Sequence, residues 1–158
     1  MSCFVKKTRF RFYRRMRLRD RKVALLLREV FDANDELGHV PSYLFDIYSV
    51  EDKTVAGRCD LRVGYNDKLY YAGNIGYTVF EQFRGRRFAL SACFLLQKLA
   101  LRHGMRELIV TCNPENAASK RICELFGAEY VKMVDLPEDH ELFLLGERRK
   151  LVFIKRLY

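Results

Sequence analysis

The sequence predicts an α/β (α+β) fold, a mixed and mostly antiparallel sheet flanked by helices. Three observations support this class. The 158-residue chain is long enough for one domain to bury about two thirds of the surface that it exposes when unfolded. Three strand-like stretches between residues 43 and 80 are joined by short turns, which is typical of an antiparallel meander. A helical pattern then separates the last of them from a further strand-like stretch, which predicts a β-α-β crossover.

The first 22 residues form a strongly basic segment. We treat it as part of a single domain, residues 1–158, because no linker, repeat or low-complexity tract interrupts the chain. Ten of the 29 basic residues and one of the 20 acidic residues lie between Val5 and Lys22, so 19 of each kind remain elsewhere. The positive net charge therefore comes from the basic segment.

Two interpretations of the basic segment stay open. The alternating stretch TRFRFYRR, residues 8–15, predicts a first strand with phenylalanines inward and arginines outward. The other interpretation is an arm that binds a polyanion such as RNA, a ribosome or an acidic protein surface. We favour the strand, because alternation accounts for the positions of half of these arginines and requires no binding partner. The residues concerned are Phe10 and Phe12 on the inner face and Arg9 and Arg11 on the outer face.

The meander and the element before it follow from hydrophobic spacing. RKVALLLREVFDAN, residues 21–34, has apolar residues at helical spacing and predicts a helix. Strands are predicted at 43–50, 54–63 and 70–80, with the turn-type connections EDK and GYNDK between them. These three strands form the antiparallel part of the sheet.

The second half of the chain alternates helices and strands. A nearly apolar pattern predicts a buried helix over 86–103, and ELIVTC, residues 107–112, predicts a strand in the sheet interior. Because a helix connects them, the fourth and fifth strands should be parallel. A second helix is predicted over about 114–126, and strands at 129–134 and 148–157 flank an acidic loop.

The composition argues against several functional classes. The cysteine count is odd and contains no Cys-x-x-Cys pair, which indicates reduced core thiols in a cytoplasmic protein. The three histidines are too scattered to predict a metal site, and no apolar run approaches the roughly 20 residues of a membrane span. We also recognise no signal peptide. The residues concerned are Cys3, Cys59, Cys93, Cys112, Cys123, His39, His103 and His140.

The stretch FRGRRFALS, residues 83–91, lies where a strand passes into a helix. The first N–H groups of a helix lack internal partners and the helix dipole adds positive charge there, so this junction suits an anion such as pyrophosphate. Gly85 allows a ligand to approach the backbone, and the small Ala89 leaves the first turn open. Taken alone, the stretch is explained more simply as the basic first turn of a helix on the protein surface than as an anion site.

A second strand–helix junction follows in CNPENAASKRICELFGAEYV. The two junctions, in this order and with IGYTVFEQF before the first, resemble the GNAT acetyltransferase superfamily. That family has an Arg/Gln-x-x-Gly-x-Gly/Ala turn after its fourth strand and an Asn-led helix ending in glycine after its fifth. Here Arg84–Ala89 occupies the first motif and Asn113–Ala128 the second. The resemblance is clear over residues 75–131, and the order of elements agrees from residue 40 onwards.

The resemblance implies a GNAT fold in which acetyl-CoA lies where the fourth and fifth strands splay apart. Backbone groups near Val79 would pair with the pantetheine arm, the N–H groups of residues 85–90 would hold the pyrophosphate, and Asn116 would bond further along the arm. No metal is implied. The implied cofactor-binding residues are Tyr77, Val79, Arg84, Gly85, Arg86, Arg87, Phe88, Ala89, Asn116 and Ser119.

Three positions depart from the family pattern. Arg87 stands where glycine is usual; we expect its side chain to face solvent, so that Arg87→Gly would cost about 1 kcal/mol of helix propensity. Cys123 stands where many relatives place the tyrosine that protonates the leaving thiolate, and a thiol donates only weakly. Asn74 stands where many relatives place a glutamate base, and an amide can hold a water but cannot accept its proton.

The remaining candidate for the base is Asp60 on the third strand, acting through a water held by Asn74. Asp60 and Asp46 alternate with apolar residues on neighbouring strands, so both should lie on the non-core face of the sheet. Asp46 is more simply a solvated strand aspartate. The catalytic candidates are therefore Asn74, Asp60 and Cys123.

The sequence thus predicts an N-acetyltransferase that moves an acetyl group from acetyl-CoA to a primary amine by direct attack. The acidic loop favours a cationic acceptor, although an ordinary solvated loop has the same composition. The alternative function is a non-catalytic acetyl-CoA sensor whose basic segment binds nucleic acid. Monomer and homodimer both stay open. The loop acids are Asp135, Glu138, Asp139, Glu141 and Glu147.

Overall fold

The computed structural model describes residues 9–158, whose strands form two hydrogen-bonded sheets. The strands are β1 (Val23–Phe31), β2 (Ser42–Ser49), β3 (Thr54–Arg62), β4 (Ile75–Val79), β5 (Glu107–Cys112), β6 (Glu129–Asp135) and β7 (Arg149–Arg156). The first sheet has the order β1-β2-β3-β4 and the second the order β5-β7-β6, with each strand pair antiparallel. The helices are α1 (Asp67–Ala72), α2 (Phe88–Arg102), α3 (Ala117–Leu125) and α4 (Glu141–Leu144). Together they confirm the predicted mixed α/β class.

Residues 21–34, which were predicted to be helical, contain β1 instead. That prediction is wrong because the run Val-Ala-Leu-Leu-Leu fits a two-residue period as well as a helical one. In the structure Val23 and Leu25 are buried, Leu26 is 46% exposed, and β1 pairs with β2 along its length. Alternate burial against the core and a ladder of backbone hydrogen bonds outweigh the helix propensity of leucine.

The predicted first strand at residues 8–15 is also absent among the described residues. Residues 9–22 of the basic segment run irregularly with a turn at 14–15, and an isolated bridge links Arg19 to Ala24. The predicted inward and outward faces are nevertheless right. Phe10 and Phe12 pack against the core, while Arg9 and Arg11 are exposed. The burial of the aromatic rings therefore fixes the segment without a strand ladder.

The predicted strand at 70–80 divides into α1 and β4. Asn66 caps α1 by accepting a hydrogen bond from the Leu69 N–H at 2.8 Å. Gly73 follows the helix at φ 79°, a left-handed value that favours glycine. The strand prediction overlooked this cap because tyrosine, which fills the middle of α1, is typical of strands. Strand β4 then pairs with β3.

Helix α2 lies at the centre of the core. Its buried face contains Ala92, Leu95, Leu96 and Leu99, and the helix packs against β1, β3 and β4. Burial of each leucine contributes roughly 1.5–3 kcal/mol to folding. The helix begins later than predicted, because Arg87 has a left-handed backbone that lies outside the helical region.

Strand β5 and helix α3 form the second predicted junction. Leu108, Ile109 and Val110 are all buried, as expected for a strand in the sheet interior. Helix α3 begins after the Pro-Glu-Asn turn, with Asn116 as its N-cap. The two predicted C-terminal strands are confirmed as β6 and β7, and the loop between them contains α4, which the sequence did not predict.

Strands β4 and β5 belong to different sheets and meet just before β4 begins. The Asn74 N–H donates to the Ile109 carbonyl at 2.7 Å, and beyond this point no ladder joins the two strands in the described part of the chain. This separation agrees with the predicted splay. The parallel direction of the two strands stays a prediction.

The cysteines that the structure describes are buried and free, as predicted for reduced core thiols. They are Cys59, Cys93, Cys112 and Cys123, whereas Cys3 lies outside the described residues. No helix within residues 9–158 is long and apolar enough to cross a membrane. The same residues contain no group of three or more His, Cys, Asp or Glu side chains placed to hold a metal ion.

Candidate functional site

The junction between β4 and α2 presents unpaired backbone donors. The first helical hydrogen bond of α2 runs from the Ser91 N–H to the Arg87 carbonyl at 3.1 Å, so the N–H groups of residues 88–90 precede the helical ladder. Gly85 has φ 80°, is exposed, and would have no atom within 4 Å of an added Cβ. A ligand can therefore approach this backbone closely, at the positive end of the helix dipole.

Arg87 has the left-handed conformation at this junction, with φ 60° and ψ 30°. Its side chain is exposed and makes no capping hydrogen bond. Because glycine adopts left-handed φ without steric cost, the backbone itself gives a reason why relatives place glycine here. The exposed side chain agrees with the expectation that it faces solvent, and the left-handed backbone overturns the expected loss of helix propensity in Arg87→Gly.

Arg86, which follows Gly85, is held by ion pairs within the protein. Arg86 forms ion pairs with Glu51 at 2.8 Å and Asp52 at 2.7 Å, and its guanidinium lies 4.6 Å from the centre of the Phe88 ring. The Ser49 hydroxyl, and then Arg86, lower the pKa of Asp52, which keeps this partner ionised. Arg86 thus ties the junction to the turn between β2 and β3.

Arg84 supports the end of β4 from the other side of Gly85. Its Nε donates to the Val79 carbonyl at 3.2 Å, while the side chain as a whole is exposed. One hydrogen bond from Nε leaves the terminal nitrogens of the guanidinium free for an anion. Of the three arginines around Gly85, Arg84 and Arg87 are thus the two with charge available to a ligand.

A hydrogen bond crosses the gap between β4 and α3. The Tyr77 hydroxyl lies 2.7 Å from the Ser119 Oγ, and the Ser119 N–H donates to Asn116 Oδ1 at 3.0 Å. Burial raises the pKa of Tyr77, and the Ser119 hydrogen bond only partly opposes this. The structure therefore brings together Tyr77, Ser119 and Asn116, and burial keeps the Tyr77 hydroxyl protonated near neutral pH.

Cys123 lies in the same cluster as part of a thiol pair. It is fully buried and hydrogen-bonded to Cys112 at the end of β5. That hydrogen bond is the main cause that lowers the pKa of Cys112, and it raises the pKa of Cys123. The Cys112 thiol is also hydrogen-bonded to Ser119. The sequence analysis overlooked Cys112, although Ser119 and Cys123 are four residues apart on one helix face and Cys112 ends the preceding strand.

Asp60 lies over Gly76 on the open face of the first sheet. Its carboxylate pairs with Arg62 Nη2 at 3.0 Å, and an added Cβ at Gly76 would come within 2.4 Å of Asp60 Oδ1, so a side chain there would displace the carboxylate. Burial raises the pKa of Asp60, and the Arg62 charge opposes this. The side chain is still 26% exposed. A carboxylate in this state can accept a proton from a neighbouring group.

Asp46 shares that face, as predicted, but has different partners. It pairs with Arg28 at 3.3 Å and with Arg58 at 3.6 Å. Two cations stabilise its charge, whereas Asp60 has one. Of the two aspartates, Asp60 is thus the better placed to act as a base.

Asn74 has a structural role that competes with the predicted one. Its side chain is fully buried, Nδ2 donates to the carbonyls of Arg62 and Gly64 at 2.9 Å each, and Oδ1 accepts from the Ile109 N–H at 2.8 Å. Both amide N–H groups are therefore occupied, and no solvent reaches them. Asn74 joins the two sheets, and we leave it out of the proton relay.

Three acids of the loop have partners in the fold, of which two are cationic and one is a histidine. Asp135 pairs with Arg149 at 3.3 Å, Glu147 with Lys150 at 2.5 Å, and Glu141 with His39 at 3.0 Å. This leaves the two remaining loop acids to act on an approaching amine, which weakens the predicted attraction for cations. They are Glu138, which is exposed, and Asp139, which lines a cavity of about 360 Å³.

A larger cavity of about 450 Å³ lies between the β1–β2 loop, α1 and α4. Arg62, the partner of Asp60, is part of its wall, together with His39 and His140. The sequence analysis overlooked this cavity because its walls come from three loops and short helices that are distant in the chain. Its position next to Arg62 makes it a candidate route for an acceptor.

Comparison with known proteins agrees with this architecture. A family model described as an acetyltransferase (GNAT) domain matches residues 7–129. No curated protein matches the chain in sequence. Among solved structures, a protein named as a candidate ribosomal-protein-serine acetyltransferase from Vibrio cholerae has a TM-score of 0.65 at 14% identity, covering 90% of this chain and 98% of its own.

Two further solved structures are similar. A Salmonella typhimurium acetyltransferase that modifies the N-terminal serine of ribosomal protein L7/L12 has a TM-score of 0.57 at 16% identity, covering 74% of this chain and 64% of its own. A ribosomal L7/L12 alpha-N-protein acetyltransferase in complex with coenzyme A has a TM-score of 0.64 at 13% identity, covering 90% of this chain and 98% of its own. At these identities the likeness supports the fold.

Proposed function

Because the chain belongs to the GNAT acetyltransferase family, we propose that it transfers an acetyl group from acetyl-CoA to a primary amine by direct attack. The family match confirms the resemblance found in the sequence, the enzyme class and the acetyl donor. The acceptor and the role of each residue are our proposal. One observation carries it, namely two strand–helix junctions at the ends of β4 and β5, facing a common gap.

The pyrophosphate of acetyl-CoA is proposed to bind at the start of α2. The free N–H groups of residues 88–90 and the open backbone at Gly85 support this position. Phe88 and Ala89 are buried and would contribute backbone donors, and the exposed Arg84 side chain would supply charge. Arg87 would contribute its left-handed backbone, while its side chain faces solvent. Arg86 would act indirectly, because its ion pairs with the β2–β3 turn hold the loop in place.

The pantetheine arm is proposed to lie between β4 and α3. Strand β4 is an edge strand, so its backbone near Val79 can pair with the amides of the arm. Asn116 is exposed at the start of α3, where its amide N–H groups face no described acceptor and its Oδ1 already caps the helix. The hydrogen-bonded Tyr77 and Ser119 would form the wall next to the thioester.

The chemistry needs one group to accept a proton and another to donate one. Nitrogen attacks the thioester carbonyl, a C–N bond forms, the C–S bond breaks, and the amine loses a proton. We assign that proton to Asp60, whose raised pKa and partial exposure suit a base. The thiolate takes a proton from the cluster of Tyr77, Ser119 and Cys123, in which Ser119 links the hydroxyl to the thiol pair.

Thiol release from acetyl-CoA tests the proposal. The protein is incubated with acetyl-CoA and a panel of primary amines that includes small diamines and peptides with an N-terminal serine, since two structural neighbours are named as serine acetyltransferases. We expect amine-dependent release of CoA and an acetylated amine in the mass spectrum. Calorimetric binding of acetyl-CoA without release for any amine would instead support the sensor alternative. Absence of binding by the folded protein would overturn both.

A further inference from the structure

The described part of the basic segment carries a dense row of exposed charge. Between residues 9 and 22 every arginine is exposed to solvent. The stretch contains one acid, Asp20, whose Oδ1 accepts hydrogen bonds from the N–H groups of Lys22 and Val23 at 2.8 Å each. Asp20 thus faces its own backbone. The exposed arginines are Arg9, Arg11, Arg14, Arg15, Arg17, Arg19 and Arg21.

These arginines lack the ion pairs that several arginines elsewhere in the described chain form. Arg28, Arg62 and Arg86 each form an ion pair with a carboxylate at 3.3 Å or less. In the described residues none of the seven forms such a pair. The nearest aromatic contacts, Arg11 with Tyr13 and Arg14 with Phe12, leave the charge in place. Seven like charges within fourteen residues repel one another, and an anion bound among them would relieve that repulsion.

The core holds this row of charge in position. The Phe10 ring stacks on His103 with centroids 4.9 Å apart, and the Tyr13 N–H donates to the Tyr43 hydroxyl at 2.8 Å. Leu18 is 3% exposed, and its carbonyl accepts from the Leu25 N–H at 2.8 Å. The backbone is thereby ordered before any ligand arrives, which lowers the entropic cost of binding.

We propose that residues 9–22 bind the phosphate backbone of a nucleic acid without reading its sequence. Arginine forms paired hydrogen bonds with phosphate oxygens, and here seven arginines occur with one lysine. The aromatic and aliphatic side chains of the segment face the core, so few anchors are left for a protein partner or for insertion into a membrane surface. A row of phosphates needs no such anchors.

Salt dependence of the wild-type protein is the first test. Fluorescence anisotropy of a labelled 20-nucleotide poly-U RNA is titrated at several salt concentrations, with single-stranded and duplex DNA of the same length in parallel. Seven phosphate contacts predict a slope of log Kobs against log salt of about −5 for a single strand, which is about a 10³-fold loss between 50 and 200 mM. Absence of binding at 50 mM, or a slope flatter than about −1, for all three probes overturns the proposal.

Two triple variants with the same change of charge locate the contact. In the first, Arg9, Arg15 and Arg17 are replaced by glutamine; in the control, the exposed and unpaired Lys98, Lys120 and Lys132 are replaced by glutamine. We expect the first variant to lose at least tenfold in RNA affinity at 50 mM salt and to flatten the slope by about 2. The control should lose less than threefold. Equal losses in both variants would mean that net charge alone binds RNA, and the site would be rejected.

Competition separates this surface from other partners and from the acetyl-CoA site. Lys22 donates to the Arg86 carbonyl at 3.3 Å, so one end of the segment reaches the start of α2. Saturating CoA should nevertheless weaken RNA binding less than threefold, because Lys22 is one of eight basic residues in the segment. Displacement of RNA by CoA would place the RNA at that junction instead. A polyglutamate peptide or vesicles with one quarter anionic lipid should compete at least tenfold less well than RNA at equal charge. Equal competition by either one would reject the assignment to nucleic acid.

Discussion

The two halves of the molecule contribute to the candidate site in different ways. The four-stranded half, β1–β4 with α2, offers backbone donors at Gly85 and charge at Asp60 and Arg84. The three-stranded half, β5–β7 with α3, offers side chains, namely Asn116 and Ser119 beside the thiol pair. Neither half therefore contains a complete site. Asn74 and the Tyr77–Ser119 hydrogen bond are among the contacts that hold the halves together and so bring polar groups to both sides of the gap.

The largest expected effect comes from breaking the main link between the halves. Asn74→Ala removes three hydrogen bonds and leaves the Ile109 N–H and the carbonyls of Arg62 and Gly64 buried without that partner. We expect the free energy of unfolding to fall by about 3–4 kcal/mol. Urea unfolding followed by circular dichroism measures it. A loss below about 1 kcal/mol would show that the halves are held together by other contacts.

The second prediction tests the charge of the four-stranded half. If Asp60 accepts the amine proton, Asp60→Asn should lower the rate at subsaturating amine by about 10²-fold while acetyl-CoA affinity is unchanged. Asp46→Asn is the matched control, because Asp46 lies on the same face between Arg28 and Arg58. Steady-state thiol release measures both variants. Similar rates for the two would remove Asp60 from the mechanism.

The third prediction concerns the side-chain contribution of the three-stranded half. Asn116 caps α3, so Asn116→Ala should cost about 1 kcal/mol of stability and, if its amide also binds the cofactor, about 1–2 kcal/mol of acetyl-CoA affinity. Asn116→Ser keeps a capping oxygen but lacks the amide N–H. It should restore stability without restoring affinity. Full affinity in the serine variant would confine Asn116 to capping.

A smaller effect depends on pH and on the contact between the four-stranded half and the basic segment. Burial lowers the pKa of His103, which lies 2.7 Å from the Tyr43 hydroxyl and stacks on Phe10. The folded state then favours neutral histidine, so stability is complete above the unfolded pKa of about 6.5 and falls as pH drops below it. Urea unfolding between pH 8 and 5 should show this loss. His103→Gln, which cannot titrate, should flatten the profile; an unchanged profile would assign the loss to another group.

The smallest effect is expected at the backbone of the first junction. Arg87→Gly relieves a left-handed residue by about 1 kcal/mol and increases the entropy of the unfolded chain by a similar amount, so stability should change by less than about 0.5 kcal/mol. Acetyl-CoA affinity should also be nearly unchanged if the exposed Arg87 side chain points to solvent and does not contact the cofactor. Calorimetry that finds a tenfold loss would show that the guanidinium binds phosphate.

The sequence predicted well those features that depend on local pattern. Strands β2, β3, β5, β6 and β7 carry the spacing and turn residues of strands, and the helix at α2 follows an apolar run ended by Gly104. The two junctions were found because their glycine, arginine and asparagine residues, in this order along the chain, resemble the two motifs of the GNAT family. Alternation also predicted correctly that Phe10 and Phe12 face the core. Apolar rings pack against the core and charged side chains stay in solvent even though this stretch forms no strand.

Some stretches fit both the helical and the strand period of hydrophobic residues, and for these the local pattern could not predict the secondary structure. The run that forms β1 suits a helix equally well, and pairing with β2 selected the strand. The tyrosines of α1 suit a strand, and the cap at Asn66 selected the helix. In both cases the deciding partner lies outside the ambiguous stretch, so the prediction needed a contact that the local residues do not encode.

The family pattern, the two junctions and the charge of the basic segment can be read from the chain alone, since each depends on residue type and spacing. What each side chain is free to do depends on its neighbours in the folded protein. The tertiary structure bound Asn74 to the backbone of three residues, paired Arg86 with Glu51 and Asp52, and joined Cys112 to Cys123. Hydrogen bonds and ion pairs act over a few ångströms in space, and only the fold brings distant parts of the chain that close.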